Sequence, residues 1–216
     1  MKNSIFILFL LISGLVDGQK HVKFYNSGLD KSLKGDYQGA ILDFTKAIEN
    51  FPKMTNAFKN RGIAKYELGD INGAISDFTK AIEFNPFPDD NSDPYNWRGI
   101  CYDSQNKHIE AIADYSQAIT LESNKNPESY MYDLELLTMA YVNRGATKID
   151  LEDYDGGILD LKKAIEINPN YIDSYYNLGY AFFDLNDFEN ACSTWEKSVA
   201  LGDKEAIELI SKYCGH

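Results

Sequence analysis

The sequence predicts an all-α protein, a right-handed α-solenoid of antiparallel helix pairs. Four positions recur along the 216 residues at fixed internal spacing: a glycine, an alanine, an aromatic residue and a second alanine. The apolar residues around each copy also recur every three to four positions, which is helical spacing. Five copies of one unit indicate a stacked array rather than a globular catalytic domain. In order the copies are Gly28, Ala40, Phe44 and Ala47; Gly62, Ala74, Phe78 and Ala81; Gly99, Ala111, Tyr115 and Ala118; Gly145, Gly157, Leu161 and Ala164; and Gly179, Ala191, Trp195 and Ser198.

Residues 55–88 illustrate what one copy predicts. Phe58, Gly62 and Tyr66 fall on one face of a first helix, and the glycine at 69 marks a turn. Ala74, Phe78 and Ala81 continue with helical spacing until Pro86, which ends the second helix because it lacks a backbone N–H. Small side chains let the two helices approach closely, and the aromatic ring fills the space between them. The repeats are predicted at about 21–54, 55–88, 92–125, 138–171 and 172–203.

Two insertions interrupt the period. Residues 126–137 lie before the fourth repeat, and their apolar spacing predicts an N-terminal extension of its first helix, about 18 Å long at 1.5 Å per residue. Residues 87–91 add three residues between the second and third repeats and give an acidic loop at 88–93. This loop contains three aspartates but lacks the glycine and the terminal glutamate of a calcium-binding loop, which favours an exposed loop.

Residues 203–214 form an amphipathic segment without a partner helix, so we expect it to cap the apolar end of the array. If this helix runs antiparallel to the helix before it, Cys214 returns to the first turns of that helix, where Cys192 lies. A Cys192–Cys214 disulfide is therefore predicted, the alternative being two buried thiols. The remaining cysteine, Cys101, is expected to be a small buried residue.

These units resemble tetratricopeptide repeats, whose period is 34 residues. The resemblance covers about residues 21–203. It rests on the repeat glycines and alanines, on the turn pairs Gly35-Asp36 and Gly69-Asp70, and on Pro52, Pro86 and Pro169 at the repeat ends. Gly157, Leu161 and the Asn106-Lys107 turn depart from the family pattern and predict weaker local packing in the third and fourth repeats.

The resemblance implies a concave groove lined by the first helices, along which a protein or peptide partner lies. The matching positions that we expect to contact a partner are Tyr25, Lys59, Ile63, Tyr66, Asn96, Tyr176, Tyr180 and Phe183. Folding of the repeat does not require an aromatic residue at these groove positions, so we interpret the aromatic ones as binding anchors. They are Tyr66, Tyr176, Tyr180 and Phe183. The alternative is that these side chains simply cover helix surfaces.

One known use of such grooves is a clamp for the C-terminal carboxylate of heat-shock chaperones. In this chain Lys59 matches the clamp, but Ile63, Asp93 and Trp97 replace its polar and basic residues, so the clamp is predicted to be absent. Arg61, Arg98 and Arg144 each precede a repeat glycine. We expect them to pair with carboxylates of the neighbouring helix rather than to form a basic ladder for a ligand.

Composition narrows the class of partner and the compartment. The formal charge of −12 disfavours nucleic acid and anionic membrane surfaces. Residues 1–18 combine one early lysine, a run of about a dozen apolar residues and a small-residue end, which predicts a signal peptide cleaved after Gly18. The alternative is an uncleaved membrane anchor. The rest of the chain, residues 19–216, contains no further candidate membrane span. We therefore expect an exported protein, periplasmic, outer-membrane-associated or secreted.

The sequence contains no arrangement typical of catalysis, metal binding or a cofactor. Its three histidines are scattered, its glycines occur singly, and Cys101 and His108 are separated by a helix end. A non-catalytic adaptor that binds a protein segment is therefore the expected function. Two alternatives remain: a small-molecule or glycan-binding protein that uses Tyr176, Tyr180 and Phe183, and an assembly subunit that docks through the 126–137 helix.

Overall fold

The architecture comes from a computed structural model, which describes residues 20–85, 87, 92–129 and 132–215. The predicted signal peptide and residues 88–91 of the acidic loop lie outside this range. Within it the regular structure is α-helical. The chain divides into two compact units, one ending at Cys101 and one beginning at Tyr102. No helix in the described ranges is both long and apolar enough to cross a membrane.

The first unit contains two helix pairs and most of a fifth helix. The bounds are α1 at residues 20–33, α2 Tyr37–Asn50, α3 Thr55–Glu67, α4 Ile71–Phe84 and α5 Ser92–Asp103, whose last residues enter the second unit. The second unit continues with α6 His108–Ser123, α7 Leu134–Asp150, α8 Tyr154–Ile167, α9 Ile172–Asp184, α10 Phe188–Ala200 and α11 Glu205–Tyr213.

In four of the five repeats, a repeat glycine packs against a buried ring or branched side chain of the second helix. A Cβ added to Gly62 of α3 would lie 2.9 Å from Cε1 of Phe78 on α4, so only glycine admits the ring at this depth. Phe44, Phe78, Tyr115, Leu161 and Trp195 are all buried at the corresponding position. The predicted pairing of helices within a repeat is thus observed in these four repeats.

Four of the five second helices begin with the same cap. The carboxylates of Asp36, Asp70, Asp153 and Asp187 accept hydrogen bonds from backbone N–H groups three residues later, which satisfies otherwise unpaired donors of the first helical turn. The α6 helix differs, because Lys107 occupies its N-cap position and makes no side-chain cap bond.

The predicted carboxylate partners of the arginines lie at one repeated position, directly before the buried ring or leucine. Arg61 donates to both oxygens of Asp77 at 2.8 and 2.7 Å, and Arg144 does the same to Asp160. Lys65 and Lys148 pair with the same two carboxylates at 2.7 and 2.8 Å. Arg61 and Arg144 therefore pair with carboxylates of the neighbouring helix, as predicted.

The fourth repeat compensates for its smaller side chains by bringing its helices together. A Cβ on Gly157 would lie 2.8 Å from the carbonyl oxygen of Gly145 and 2.6 Å from Cγ1 of Ile149. Leu161 is fully buried beside them. The two departures from the repeat pattern, Gly157 and Leu161, thus act jointly: the absent Cβ narrows the space that an aromatic ring fills elsewhere.

The prediction of a helical extension over residues 126–137 was wrong. The α7 helix begins only at Leu134, after Asp133, whose carboxylate accepts from the backbone N–H of Leu136 at 2.9 Å and caps the helix. The fully buried Glu122 of α6 pairs with Lys125 at 2.7 Å and accepts from the backbone N–H of Asp133. The bond to Asp133 joins the start of α7 to the end of α6, and the described residues of the insertion before Leu134 form no projecting helix of the kind that the docking alternative required.

The last helix, α11, packs against α9 and α10. Ala206 is buried with Trp195 and Ala191, and Leu209, Ile210 and Tyr213 pack on the same cluster. Cys192 of α10 and Cys214 are joined by a disulfide, with an S–S distance of 1.97 Å. Cys101 is a buried thiol. The segment predicted as a cap thus forms a helix over Glu205–Tyr213 that covers apolar residues of α9 and α10.

Candidate functional site

In the first unit, two of the predicted groove residues are engaged by neighbouring side chains. The hydroxyl of Tyr25 accepts a hydrogen bond from Asn60 Nδ2 at 2.9 Å. Burial raises the pKa of Tyr25, although the charge of Lys59 and the Asn60 bond oppose the shift. Lys59 forms a salt bridge with Asp93, with Nζ and Oδ2 2.6 Å apart. Lys59 is thus already neutralised by a carboxylate at one of the positions where the chaperone clamp needs a basic residue.

The other three predicted residues of this unit contribute to its interior. Ile63 and Tyr66 pack against the buried cluster of Ala74, Phe78 and Cys101, and Tyr66 meets Trp97 edge to face at 5.8 Å. Asn96 is fully buried. The prediction that Asn96 lines an open groove was therefore wrong: its side chain is enclosed by the fold and presents no surface to a partner.

In the second unit, the predicted aromatic residues lie along α9 and meet the capping helix. Phe183 packs on Tyr213 of α11 at 4.5 Å between ring centroids and on Trp195 at 5.8 Å. Tyr180 meets Trp195 edge to face at 5.5 Å. The interpretation of these residues as surplus to folding was wrong for Phe183 and Tyr180, since both bury apolar surface beneath α11. The repeat register placed both residues in the groove, whereas Tyr213, which packs on Phe183, lies outside the repeats.

Tyr176 remains at the edge of an open depression between α9 and the start of α11. We call it the α9–α11 depression; its volume is about 560 Å³, and it is lined by Ile172, Asp173, Tyr176, Asn177, Gly202, Asp203, Lys204 and Glu205. A second hollow of about 450 Å³ adjoins it through Tyr176, Lys204 and Glu205 and includes Tyr180 and Glu208. Tyr176 therefore lines both hollows.

Acidic side chains outnumber the one basic side chain, Lys204, in the lining of the α9–α11 depression. Asp173 and Glu205 are exposed, whereas Asp203 is occupied by hydrogen bonds from Ser198 and from the backbone N–H groups of Glu205 and Ala206. A hydrogen bond with Tyr180 and burial raise the pKa of Tyr176 well above its usual value, and the Glu205 and Asp203 carboxylates add to the shift. Such a site attracts a positively charged group, which an aromatic face and two carboxylates can hold together.

The buried thiol of Cys101 does not have the properties of a nucleophile. Burial raises its pKa to about 12, so the thiol stays protonated at neutral pH. Because the thiolate is the reactive form, Cys101 acts as a core residue of the first unit. The position of Cys101 inside a first helix predicts the same role.

Models of two related families match this chain. A model described as "Tetratricopeptide repeat" matches residues 59–88, 92–125 and 172–201, and one described as "TPR repeat" matches residues 145–186. Together they cover four of the five predicted repeats in whole or in part.

Two curated relatives come from Saccharomyces cerevisiae. The small glutamine-rich tetratricopeptide repeat-containing protein 2 is 30% identical over 108 residues, 50% of this chain and 30% of its own length. The Hsp70/Hsp90 co-chaperone CNS1 is 38% identical over 72 residues, 33% of this chain and 17% of its own length. The chain thus spans less than a third of either relative.

Solved structures show the same fold at low identity. PilW, described as a widely conserved type IV pilus biogenesis factor, superposes with a TM-score of 0.73 at 17% identity, covering 85% of this chain and 78% of its own. YrrB, described as a TPR protein with an unusual peptide-binding site, gives a TM-score of 0.67 at 17% identity, covering 93% and 97%. These likenesses establish the helix-pair architecture.

Proposed function

The chain belongs to the tetratricopeptide-repeat family, and from this we propose that it is an exported, non-catalytic adaptor that binds a segment of a partner protein. Curated relatives and family models support a protein–protein interaction role. The observation that carries the proposal is the α9–α11 depression, where Tyr176 and two exposed carboxylates meet on one open surface.

The chemistry of this depression selects the kind of segment. Asp173 and Glu205 attract a lysine or arginine, and Tyr176 offers a ring face to the same cation. The formal charge of −12 favours approach of a basic partner from a distance. We therefore propose a protein segment that presents a basic side chain between α9 and α11.

A chaperone clamp is not part of this proposal, although one relative is named as an Hsp70/Hsp90 co-chaperone. Lys59 is paired with Asp93, and Ile63 packs into the core of the first unit. A C-terminal carboxylate would meet no spare basic group from these residues.

Binding is tested by pull-down from an extracytoplasmic extract after chemical crosslinking, with mass spectrometry of the captured proteins. Wild-type protein is compared with Tyr176→Ala and Asp173→Lys. The matched control is Tyr175→Ala, the next residue of α9, whose hydroxyl donates to the carbonyl of Pro169 instead. A protein captured by the wild type and by Tyr175→Ala, but lost from both depression variants, supports the adaptor. A partner retained by both depression variants contradicts this site, and binding of glycans without any protein contradicts the adaptor.

Export is a second part of the proposal. The signal-like residues 1–18 and the Cys192–Cys214 disulfide both favour an oxidising compartment, because cytosolic thiols are kept reduced. N-terminal sequencing of the protein from its native host tests this directly. A mature chain that starts at Gln19 is expected, and an intact Met1 on protein from the cytosolic fraction would exclude export.

A further inference from the structure

We propose that Asp103, His108 and Asp150 of the second unit bind one divalent transition-metal ion, of which Zn²⁺ is the representative. One ligand atom from each residue lies within 4.8 Å of the other two. The three come from different helices: Asp103 ends α5, His108 begins α6 and Asp150 ends α7. Imidazole nitrogen and carboxylate oxygen are both ligands that Zn²⁺ accepts, and three protein ligands leave room for water.

At two of the three positions the residue type differs from that in the other repeats. The residue that begins the second helix is Tyr37, Ile71, Tyr154 or Phe188 in the other repeats, but His108 here. The residue four positions after the repeat glycine is serine, tyrosine, isoleucine or phenylalanine in the others, but Asp103 here. In the fifth repeat this pair is Phe183 and Phe188, with ring centroids 5.5 Å apart, whereas Asp103 Oδ1 and His108 Nδ1 lie 2.8 Å apart.

The two carboxylates of the cluster lie close together at helix ends, an arrangement that favours a cation between them. Asp103 and Asp150 are the last residues of their helices, where the helix dipole already presents negative charge. A divalent ion would neutralise both carboxylates while it binds the imidazole, and would link the ends of α5 and α7 to the start of α6.

The side chains are accessible to an ion from solvent. Asp103 and His108 are partly buried, with 29% and 22% of their side chains exposed, and Asp150 is exposed. This burial favours the retention of the ion, since part of its ligand shell is removed from water. The site belongs to the second unit, and the proposed binding of a basic segment involves none of its three residues.

The test is isothermal titration of Zn²⁺ into chelator-treated protein without a histidine tag. One ion per chain is expected, with affinity lowered at least about tenfold in His108→Phe and in Asp150→Asn. His108→Phe restores the residue type of the fifth repeat, so we expect it to fold, and circular dichroism checks this. If it does not fold, Asp103→Asn takes its place.

His21→Ala is the matched control, because it removes another imidazole, one that stacks on Phe51 at 5.1 Å, and leaves the cluster intact. Its Zn²⁺ affinity is expected to equal that of the wild type. Three results would overturn the proposal: no saturable binding by the wild type, wild-type affinity in either cluster variant, or an equal loss in His21→Ala. Raised thermal stability in Zn²⁺, absent from the cluster variants, is expected as a second readout.

Discussion

Arg144 donates two parallel hydrogen bonds to the carboxylate of Asp160, from Nε at 2.8 Å and from Nη2 at 2.7 Å. Asp160 is buried, and its Oδ2 also forms a salt bridge with Nζ of Lys148 at 2.8 Å. A bidentate arginine matches the geometry of a carboxylate, and this link joins the two helices of the fourth repeat directly. Asp77 has the same relationship to Arg61 and Lys65 in the second repeat.

Replacing Asp160 by alanine is therefore expected to destabilise the protein by about 3 kcal/mol, because two cations would be left without their buried partner. Chemical unfolding with urea, followed by circular dichroism, measures the loss. Asp155→Ala is the control, since Asp155 is exposed on the same helix. Equal stability of the two variants would show that the Asp160 ion pairs contribute nothing.

The close approach of α7 and α8 makes Gly157 intolerant of even a methyl group. Gly157→Ala is expected to lower the free energy of unfolding by about 1–3 kcal/mol through overpacking, although alanine is the better helix former by about 1 kcal/mol. Leu159→Ala introduces the same residue at an exposed site of α8 and should change stability little. Thermal unfolding of both variants distinguishes packing from propensity, and a stabilised Gly157→Ala would refute the close contact.

The first repeat carries a carboxylate whose ionisation supports folding. Burial disfavours the charge on Asp43, but hydrogen bonds from Lys31 and Ser27 and the charges of Lys31 and Lys46 outweigh it and lower its pKa. The stabilisation is present above the pKa of the unfolded chain, near 3.9, and is lost as the pH falls through the lower folded value.

Urea unfolding at pH 5 and pH 3 measures this contribution. The wild type should lose more stability between the two values than Asp43→Asn, which has no proton to gain. Glu49→Gln removes an exposed carboxylate from the same helix and should keep the wild-type difference. An identical pH dependence in wild type and Asp43→Asn would exclude the effect.

The disulfide fixes the capping helix to α10 across 22 residues of sequence. Closure of such a loop restricts the unfolded chain, so Cys214→Ser is expected to cost about 2–4 kcal/mol. The double variant Cys192→Ser, Cys214→Ser should lose no more than the single one, because both lack the same bond. Thermal melting with and without reductant measures the effect, and a reductant-insensitive wild type would contradict it.

Much of the helix pairing could be predicted because the residues that determine it recur in the repeats. A glycine and an aromatic residue at this fixed spacing predict close packing of the two helices in a repeat. The contact between Gly62 and Phe78 could therefore be predicted from the sequence. In four of the five repeats an aspartate also stands directly before the buried ring or leucine, at 43, 77, 114 and 160. This recurrence could have predicted the buried ion pairs of Asp77 and Asp160.

Where a residue depends on a neighbour from a non-repeated segment, the sequence was a poorer guide. The apolar spacing of 126–137 is helical, but the cap at Asp133 and its bond to Glu122 set the start of α7 instead. Phe183 matches a groove position, yet the unrepeated Tyr213 covers it. The cluster of Asp103, His108 and Asp150 depends on three helix ends meeting, which a linear spacing does not reveal.

The bond between Cys192 and Cys214 changes how the C-terminal end responds to pulling. Tension applied beyond residue 214 passes through the two sulfur atoms into the first turns of α10, so residues 193–213 carry no load. Helix α11 would stay in place while the remainder of the chain is stretched, and the contour length released by forced unfolding would be shorter by the length of that shielded loop.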